Sequence, residues 1–298
     1  MANAYGAPDF DIDTDIDHAG LVALKGGALA LTDNIYIVND ATVDLDVSCS
    51  LLKIYLGETS AGDPGAGDRV GHVQCLTAGV TITFAGAAAE VNSGIESNPV
   101  ATGAETLGNS VRFEGAPGNL VTLTNNGDAM NVLNRWQINM VYGSIIETRY
   151  TDFRQMGRDG IELHPHTTHG NVGTFMENCS FCGIENGDEL ISVIVAAAMD
   201  LPIEIARGTY TVDAGCSVDF LALSPGLVGS GFIHMDMACV NGSGGAEIVR
   251  HDVQVNDGST GYFRFNTQAE DFRPSYPGII QPIIDGDATK AYVNGVQT

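Results

Sequence analysis

Two stretches concentrate the side chains best suited to chemistry. The first is "ETRYTDFRQMGRDGIELHPHTTHG", residues 147–170, with Arg149, Arg154 and Arg158, the acids Asp152, Asp159 and Glu162, and then His164, His166 and His169. Carboxylates beside guanidinium and imidazole groups are the material of general acid–base catalysis. If the chain is an enzyme, Arg154, Asp152, Asp159 and His166 are the candidate catalytic residues. The sequence His164-x-His166 would set two imidazoles on one strand face, with His169 closing a metal site from the following turn. Pro165 makes that geometry irregular, and no carboxylate stands at a familiar ligand spacing. Ion pairing along a stacked or intersubunit surface is the simpler reading of the arginines and acids.

The second stretch is "DFDIDTDIDHAG", residues 9–20, with an aspartate at every second position from Asp9 to Asp17. Strand side chains alternate between faces, so the acids would share one face and repel one another. Asp11, Asp13, Asp15 and Asp17 are therefore candidate metal ligands, and Ca²⁺ is the cofactor that oxygen donors of this kind would take. Counted from Asp9 or Asp11, an EF-hand loop would lack its glycine at the sixth position and its glutamate at the twelfth. A plain amphipathic strand also fits, with Phe10, Ile12 and Ile16 buried and the acids in solvent. Calcium would then be collected where subunits bring several such rows together.

Other chemical signals are thin. Cys179 and Cys182 form one CxxC in "NCSFCG", and Cys49, Cys75, Cys216 and Cys239 supply no second pair, so buried free thiols are expected. Phosphate loops, dinucleotide fingerprints and nucleophile elbows are absent from the sequence. Trp136 and Tyr142 could form a sugar-stacking platform, although one Trp in an apolar run is more often core.

The elements that must position these residues are strands. Runs such as "ALALT" (28–32), "IYIV" (35–38), "LLKIYL" (51–56), "VTITF" (80–84), "LVTLT" (120–124) and "YFRF" (262–265) are strand-length and rich in β-branched or aromatic residues. Asn-Gly and Asp-Gly turns separate many such runs, within a total of 37 glycines. The best helical candidate is 188–199, "DELISVIVAAAM". Small-residue stretches at 58–71 and 85–110 predict loops or connectors, and Pro274, Pro277 and Pro282 predict an extended arm. The fold class is all-β.

Charge narrows the partners. With 37 acidic against 13 basic residues the formal net charge is −24, a surface that repels phosphate backbones and anionic bilayers. Neither nucleic acid nor membrane is an expected partner. "MANAYGAPDF" lacks a secretory signal, and the longest apolar run, "LISVIVAAAM" at 190–199, is too short to cross a bilayer. Synthesis in the cytoplasm without signal-directed export is expected, with a virion or extracellular particle as the destination.

Between 105 and 240 a looser rhythm emerges. The segments "YTDFRQMGRDGIEL" (150–163) and "ENCSFCGIENGDEL" (177–190) align at an offset of 27 residues with small gaps. A period of about 20–30 residues is the signature of a solenoid. Through "YTDF…GRDGIEL" and "FMENCSFCGIENGD" the chain resembles the right-handed parallel β-helix superfamily, the pectate-lyase-like and phage-tailspike-like group. The resemblance implies a solenoid whose lateral groove binds polysaccharide. It further implies either paired aspartates with a histidine for hydrolysis, or a basic residue beside carboxylate-bound calcium for lyase chemistry. This chain has "THG" at 168–170 and no Asp-Asp pair. The alternative fold is a large antiparallel β-sandwich or jelly roll.

The expected organisation is an N-terminal β region over 1–104, a β-helix-like core over 105–240, and a C-terminal β segment with a Pro-rich arm over 241–298. The expected function is that of a structural protein of an assembled particle or filament, such as a phage or virus decoration, fibre or coat subunit. Its partners would be further copies, as a trimer or larger homo-oligomer, and other structural proteins. The alternatives are a polysaccharide-acting β-helix lyase or glycoside hydrolase, and a carbohydrate-binding surface module.

Overall fold

The computed structural model describes the backbone of residues 9–62, 70–86, 92–97, 108–126, 135–141, 143–157, 160–164 and 173–184, and of the strands from Asp188–Val193 to Val296–Gln297; side chains are described as far as Phe181. The predicted arm at 273–282, and 194–199 at the end of the predicted helix, lie outside the described residues.

The protein is all-β, built from parallel strands stacked in three rows. The first row runs Asp9–Ile12, Asn34–Ile37, Lys53–Leu56, Gly94–Ser97, Gln137–Val141, Ile161–His164, Asp188–Val193, Val218–Leu223, Asp252–Val255 and Ile283–Asp285. The second starts Ile16–Asp17, Ala41–Asp44, Gly71–Cys75, Ser110–Glu114, Ile145–Arg149 and Gly173–Glu177. The third holds Cys49–Leu51, Thr81–Phe84, Val121–Asn125, Thr151–Arg154 and Ser180–Ile184. The long strand Pro202–Val212 joins the last two rows, its first half pairing with Gly173–Glu177 and its second with Ser180–Ile184. Among the described strands, only Lys290–Val293 and Val296–Gln297 pair antiparallel. An antiparallel sandwich is therefore not the fold.

Parallel register puts equivalent residues on top of one another. In the first row one inward column reads Phe10, Ile35, Ile54, Ile95, Ile138 and Ile161, all buried, and its register positions continue at Ile191, Leu221, Val253 and Ile284. Inward columns of the second row read Val43, Val73, Val111 and Ile146, and Cys75, Phe113, Thr148 and Met176. The third supplies Ile82, Leu123, Phe153 and Phe181. These columns form one hydrophobic cluster in which Phe84 stacks on Trp136 at 4.9 Å and Phe153 on Phe181 at 4.9 Å. Trp136 is thus core, its indole N–H donating to the Arg154 carbonyl at 2.8 Å. Tyr142 lies outside the described residues.

The repeat seen in the sequence is real at this level. Asp152 pairs with Ser180 and Phe153 with Phe181, an offset of 28 where the gapped alignment suggested 27. Tyr150 and Asn178 occupy the equivalent corner in successive circuits, both left-handed at φ 47 and 52. The Tyr150 amide donates to the Glu177 carbonyl, so the corners stack as the strands do.

Three local expectations change. Residues 188–193 are a strand, paired in parallel on both edges, where tertiary pairing overrides the helix preference of the following alanines. The stretch 85–110 carries the first-row strand Gly94–Ser97. Gly94 is required there: at φ +111, a Cβ would sit 2.0 Å from the Gln137 carbonyl oxygen. Finally, 9–17 is two strands, Asp9–Ile12 and Ile16–Asp17, which belong to different rows and lead into the helix His18–Lys25. Parallel pairing begins at Asp9, well ahead of residue 105.

Phe153 is 1% exposed and stacked in this column. Phe153→Ala is expected to lower the unfolding free energy by about 3–5 kcal/mol, measured by urea denaturation with circular dichroism.

Candidate functional site

Side chains that alternate with the buried columns build outward columns of their own. On the second row one such column is Asp44, Gln74, Arg112, Glu147 and Phe175, with register positions continuing at Glu204, His234, Arg264 and Tyr292. Beside it run Glu114, Arg149 and Glu177. Together these enclose an open groove of 510 Å³ lined by Arg112, Glu114, Glu147, Arg149, Phe175 and Glu177, with Phe113, Thr148 and Met176 below.

The groove's chemistry is mixed charge around one ring. Arg112 Nη2 donates to Glu114 Oε2 at 3.3 Å, and Arg149 Nε lies 3.3 Å from Glu177 Oε2. Both guanidinium groups stay largely solvated, at 49% and 62% side-chain exposure, so each holds its carboxylate loosely and keeps donors for a ligand. Phe175 is 38% exposed on an outward position where a polar residue would be the ordinary choice. A solvated aromatic face flanked by guanidinium and carboxylate groups fits polyhydroxylated ligands, which stack a pyranose face on the ring and hydrogen-bond at its edges.

Two of the four predicted catalytic residues, Asp152 and Arg154, are described, and they stand apart from this groove. Asp152 and Arg154 lie on the third row, where Arg154 Nε donates to Asp152 Oδ2 at 2.5 Å and the Ser180 hydroxyl donates to Asp152 Oδ1 at 2.7 Å. Asp152 is 5% exposed, so it acts as a buried tie between neighbouring strands. Asp159 and His166, with Arg158 and His169, lie outside the described residues. Glu162 and His164 sit on the first row, with His164 Nε2 3.1 Å from Glu162 Oε1. Of the 147–170 stretch, Arg149 and Glu147 reach the groove. Arg112, Glu114, Phe175 and Glu177 were missed. They come from other circuits, and only the register shows that they are neighbours.

The acidic stretch is dispersed by the corner after Ile12. Asp11 accepts from the amide and hydroxyl of Ser60, both at 2.6 Å; Asp15 accepts from the Thr42 amide at 2.8 Å; Asp17 caps the helix by accepting from the Gly20 amide at 2.8 Å. Asp13 is exposed, and its carbonyl accepts from Asn39 at 3.3 Å. The carboxylates of Asp11, Asp15 and Asp17 each serve a different segment. Among the described residues no three His, Cys, Asp or Glu groups are gathered as a cation site.

Comparison with family models, with curated proteins and with solved structures found no match for this chain.

Cys49, Cys75 and Cys179 are free thiols. Burial pushes the Cys179 thiol up to about 11 and Cys75 to about 11, and Cys49 to about 12 with the neighbouring Cys75 adding to it. Their folded values lie above the unfolded value near 9, so the folded state holds protons that the unfolded chain releases. The stabilisation is fully present below pH 9 and is lost as pH rises through about 9 to 12. Native protein at pH 8 is expected to leave these three thiols unmodified by iodoacetamide, as read by peptide mass spectrometry, and urea midpoints are expected to fall between pH 9 and 11.

Proposed function

We propose that this chain is a right-handed parallel β-helix that serves as a structural protein of an assembled particle or filament, a virion decoration, fibre or coat subunit of phage or virus type. One observation carries the reading: in-register parallel pairing runs from Asp9–Ile12 to Ile283–Asp285 with most of the length given to stacking. A stack of this kind presents long, regular sides that further copies can pack against, which supports a structural role. The net charge of −24 keeps subunits apart until a partner surface or a cation screens it. Sedimentation equilibrium and negative-stain electron microscopy of the purified chain are expected to show trimers or larger closed or helical assemblies. A monodisperse monomer at every salt concentration would overturn the reading.

The groove favours a second, compatible reading: the side of the stack binds an extended saccharide. Phe175 would stack a sugar ring while Arg112 and Arg149 donate to hydroxyl or carboxylate groups. Binding to an acidic polysaccharide, measured by isothermal titration calorimetry, is expected to weaken about tenfold in Phe175→Ala and in Arg149→Ala, since stacking and charged hydrogen bonds each contribute about 1–2 kcal/mol. Arg149→Ala should move the urea midpoint little, because exposed ion pairs contribute under about 1 kcal/mol. Equal heats from the variants and the parent chain would remove the groove from the function.

A further inference from the structure

At the other end of the same sheet face, three residues from three circuits meet. Ser110 and His72 are register partners on adjacent parallel strands, and the Ser110 hydroxyl is 2.8 Å from His72 Nδ1. On the far side of the imidazole, Nε2 is 2.8 Å from Asp40 Oδ1. We propose that Ser110, His72 and Asp40 form a serine-hydrolase triad, with Ser110 as nucleophile, that cleaves short-chain carboxylic esters.

The surroundings fix this arrangement. The residue before each member is tied to its neighbour: the Gly71 amide donates to Asn109 Oδ1 at 2.8 Å, locking the register in which His72 faces Ser110. The Asp40 amide donates to the Val70 carbonyl at 2.8 Å, which holds its backbone at the mouth of the same strand, with the carboxylate itself 83% exposed. Asn39 and Asp40 are both left-handed, at φ 58 and 59, a conformation that non-glycine residues adopt at a cost and that turns the Asp40 side chain back toward the imidazole. Gly71 packs so tightly that an added Cβ would sit 2.3 Å from the Ile37 carbonyl oxygen. The imidazole is partly sheltered, at 23% side-chain exposure, and open enough for a substrate to reach the serine.

The tautomer follows from the contacts. Nε2–H donates to the Asp40 carboxylate, which leaves Nδ1 as the acceptor for the serine proton. Ser110 Oγ attacks the ester carbonyl carbon while its proton passes to Nδ1. The tetrahedral adduct collapses, the C–O bond to the alcohol breaks, and the alcohol leaves with the proton held on His72. Water then attacks the acyl-serine, giving its proton to Nδ1, and collapse returns that proton to Oγ. Ester and water become acid and alcohol, with no other reactant. Beyond Ser110 the outward column continues with Ile145 and Gly173, where the Ile145 and Phe175 side chains close over the glycine, an apolar surface beside the serine that suits an acyl group.

The test uses the whole chain with p-nitrophenyl acetate, together with a fluorophosphonate probe that reports on an activated serine. The expected results are phosphonylation of Ser110, identified by peptide mass spectrometry, and steady-state acetate release. Ser110→Ala, which alters only an outward side chain, should lose both and unfold at the same temperature; its rate should fall about a hundredfold or more, to what free histidines and hydroxide give. Asp40→Asn should fold and fall about tenfold, with phosphonylation of Ser110 slowed alongside the rate, because the imidazole loses the carboxylate that holds its tautomer. Absence of phosphonylation at Ser110, or Ser110→Ala with the parent rate, would overturn the triad. Asp40→Asn with the parent's rate and phosphonylation would overturn the role given to Asp40 and the triad with it.

Discussion

In-register parallel hydrogen bonding between successive circuits governs everything else in this protein. A parallel pair cannot be closed by a tight hairpin, so each strand needs a long crossover before its neighbour, and here the crossover is the remainder of the circuit through the other two rows. Once register is set, like stacks on like. Inward columns become continuous aliphatic and aromatic ribs, such as the run from Phe10 to Ile161. Rib residues between the terminal strands are covered above and below by their counterparts and laterally by the other rows, a packing in which apolar area is removed from water at about 25 cal/mol per Å².

The corners carry the cost of that regularity. Each circuit must leave one sheet row and enter another, and the chain does so with left-handed residues at Asn39, Asp40, Tyr150, Gln155 and Asn178 and with glycines where carbonyls crowd. Corner amides that lose ladder partners are met by side chains: Asp15 receives Thr42, Asp17 receives Gly20, and Asn109 receives Gly71. Much of the acidity is therefore structural punctuation. Buried cations are matched one by one, Lys53 with Glu96 and Lys25 with Asp33. Asp9 and Asp11 decorate the terminal strand Asp9–Ile12, where they oppose edge-to-edge pairing with another copy.

How much of this was legible depended on spacing. The 28-residue step from Phe153 to Phe181 is close to one regular circuit and leaves a visible echo of Phe, Gly and Asn-Gly in the sequence. The first-row rib left none, because its steps range from 19 residues between Ile35 and Ile54 to 43 between Ile95 and Ile138, as turns between rows lengthen and shorten. Gly94–Ser97 was hidden for the same reason inside small-residue connectors. The aspartate alternation over 9–17 was a correct sign of strand for Phe10 and Ile12, both buried. It could not show the corner, since a period of two carries no information about where a strand changes sheets.

Chemistry in such a fold is written across the chain rather than along it. Arg149 shares a column with Glu114 and Glu177, 35 and 28 residues away, and reaches Glu177 more directly than it does the Arg-Asp-His string in which it is embedded. His72 meets a serine 38 residues later and an aspartate 32 residues earlier, distances at which no linear motif survives variation in turn length. A string of reactive residues in one strand is instead split between interior and surface by the pleat, as Asp152, Phe153 and Arg154 show: Phe153 enters the core, Asp152 ties two strands, and Arg154 stays in solvent. Groups that must converge on one substrate therefore come most readily from equivalent positions of successive circuits, and register, once known, is the better guide to where they meet.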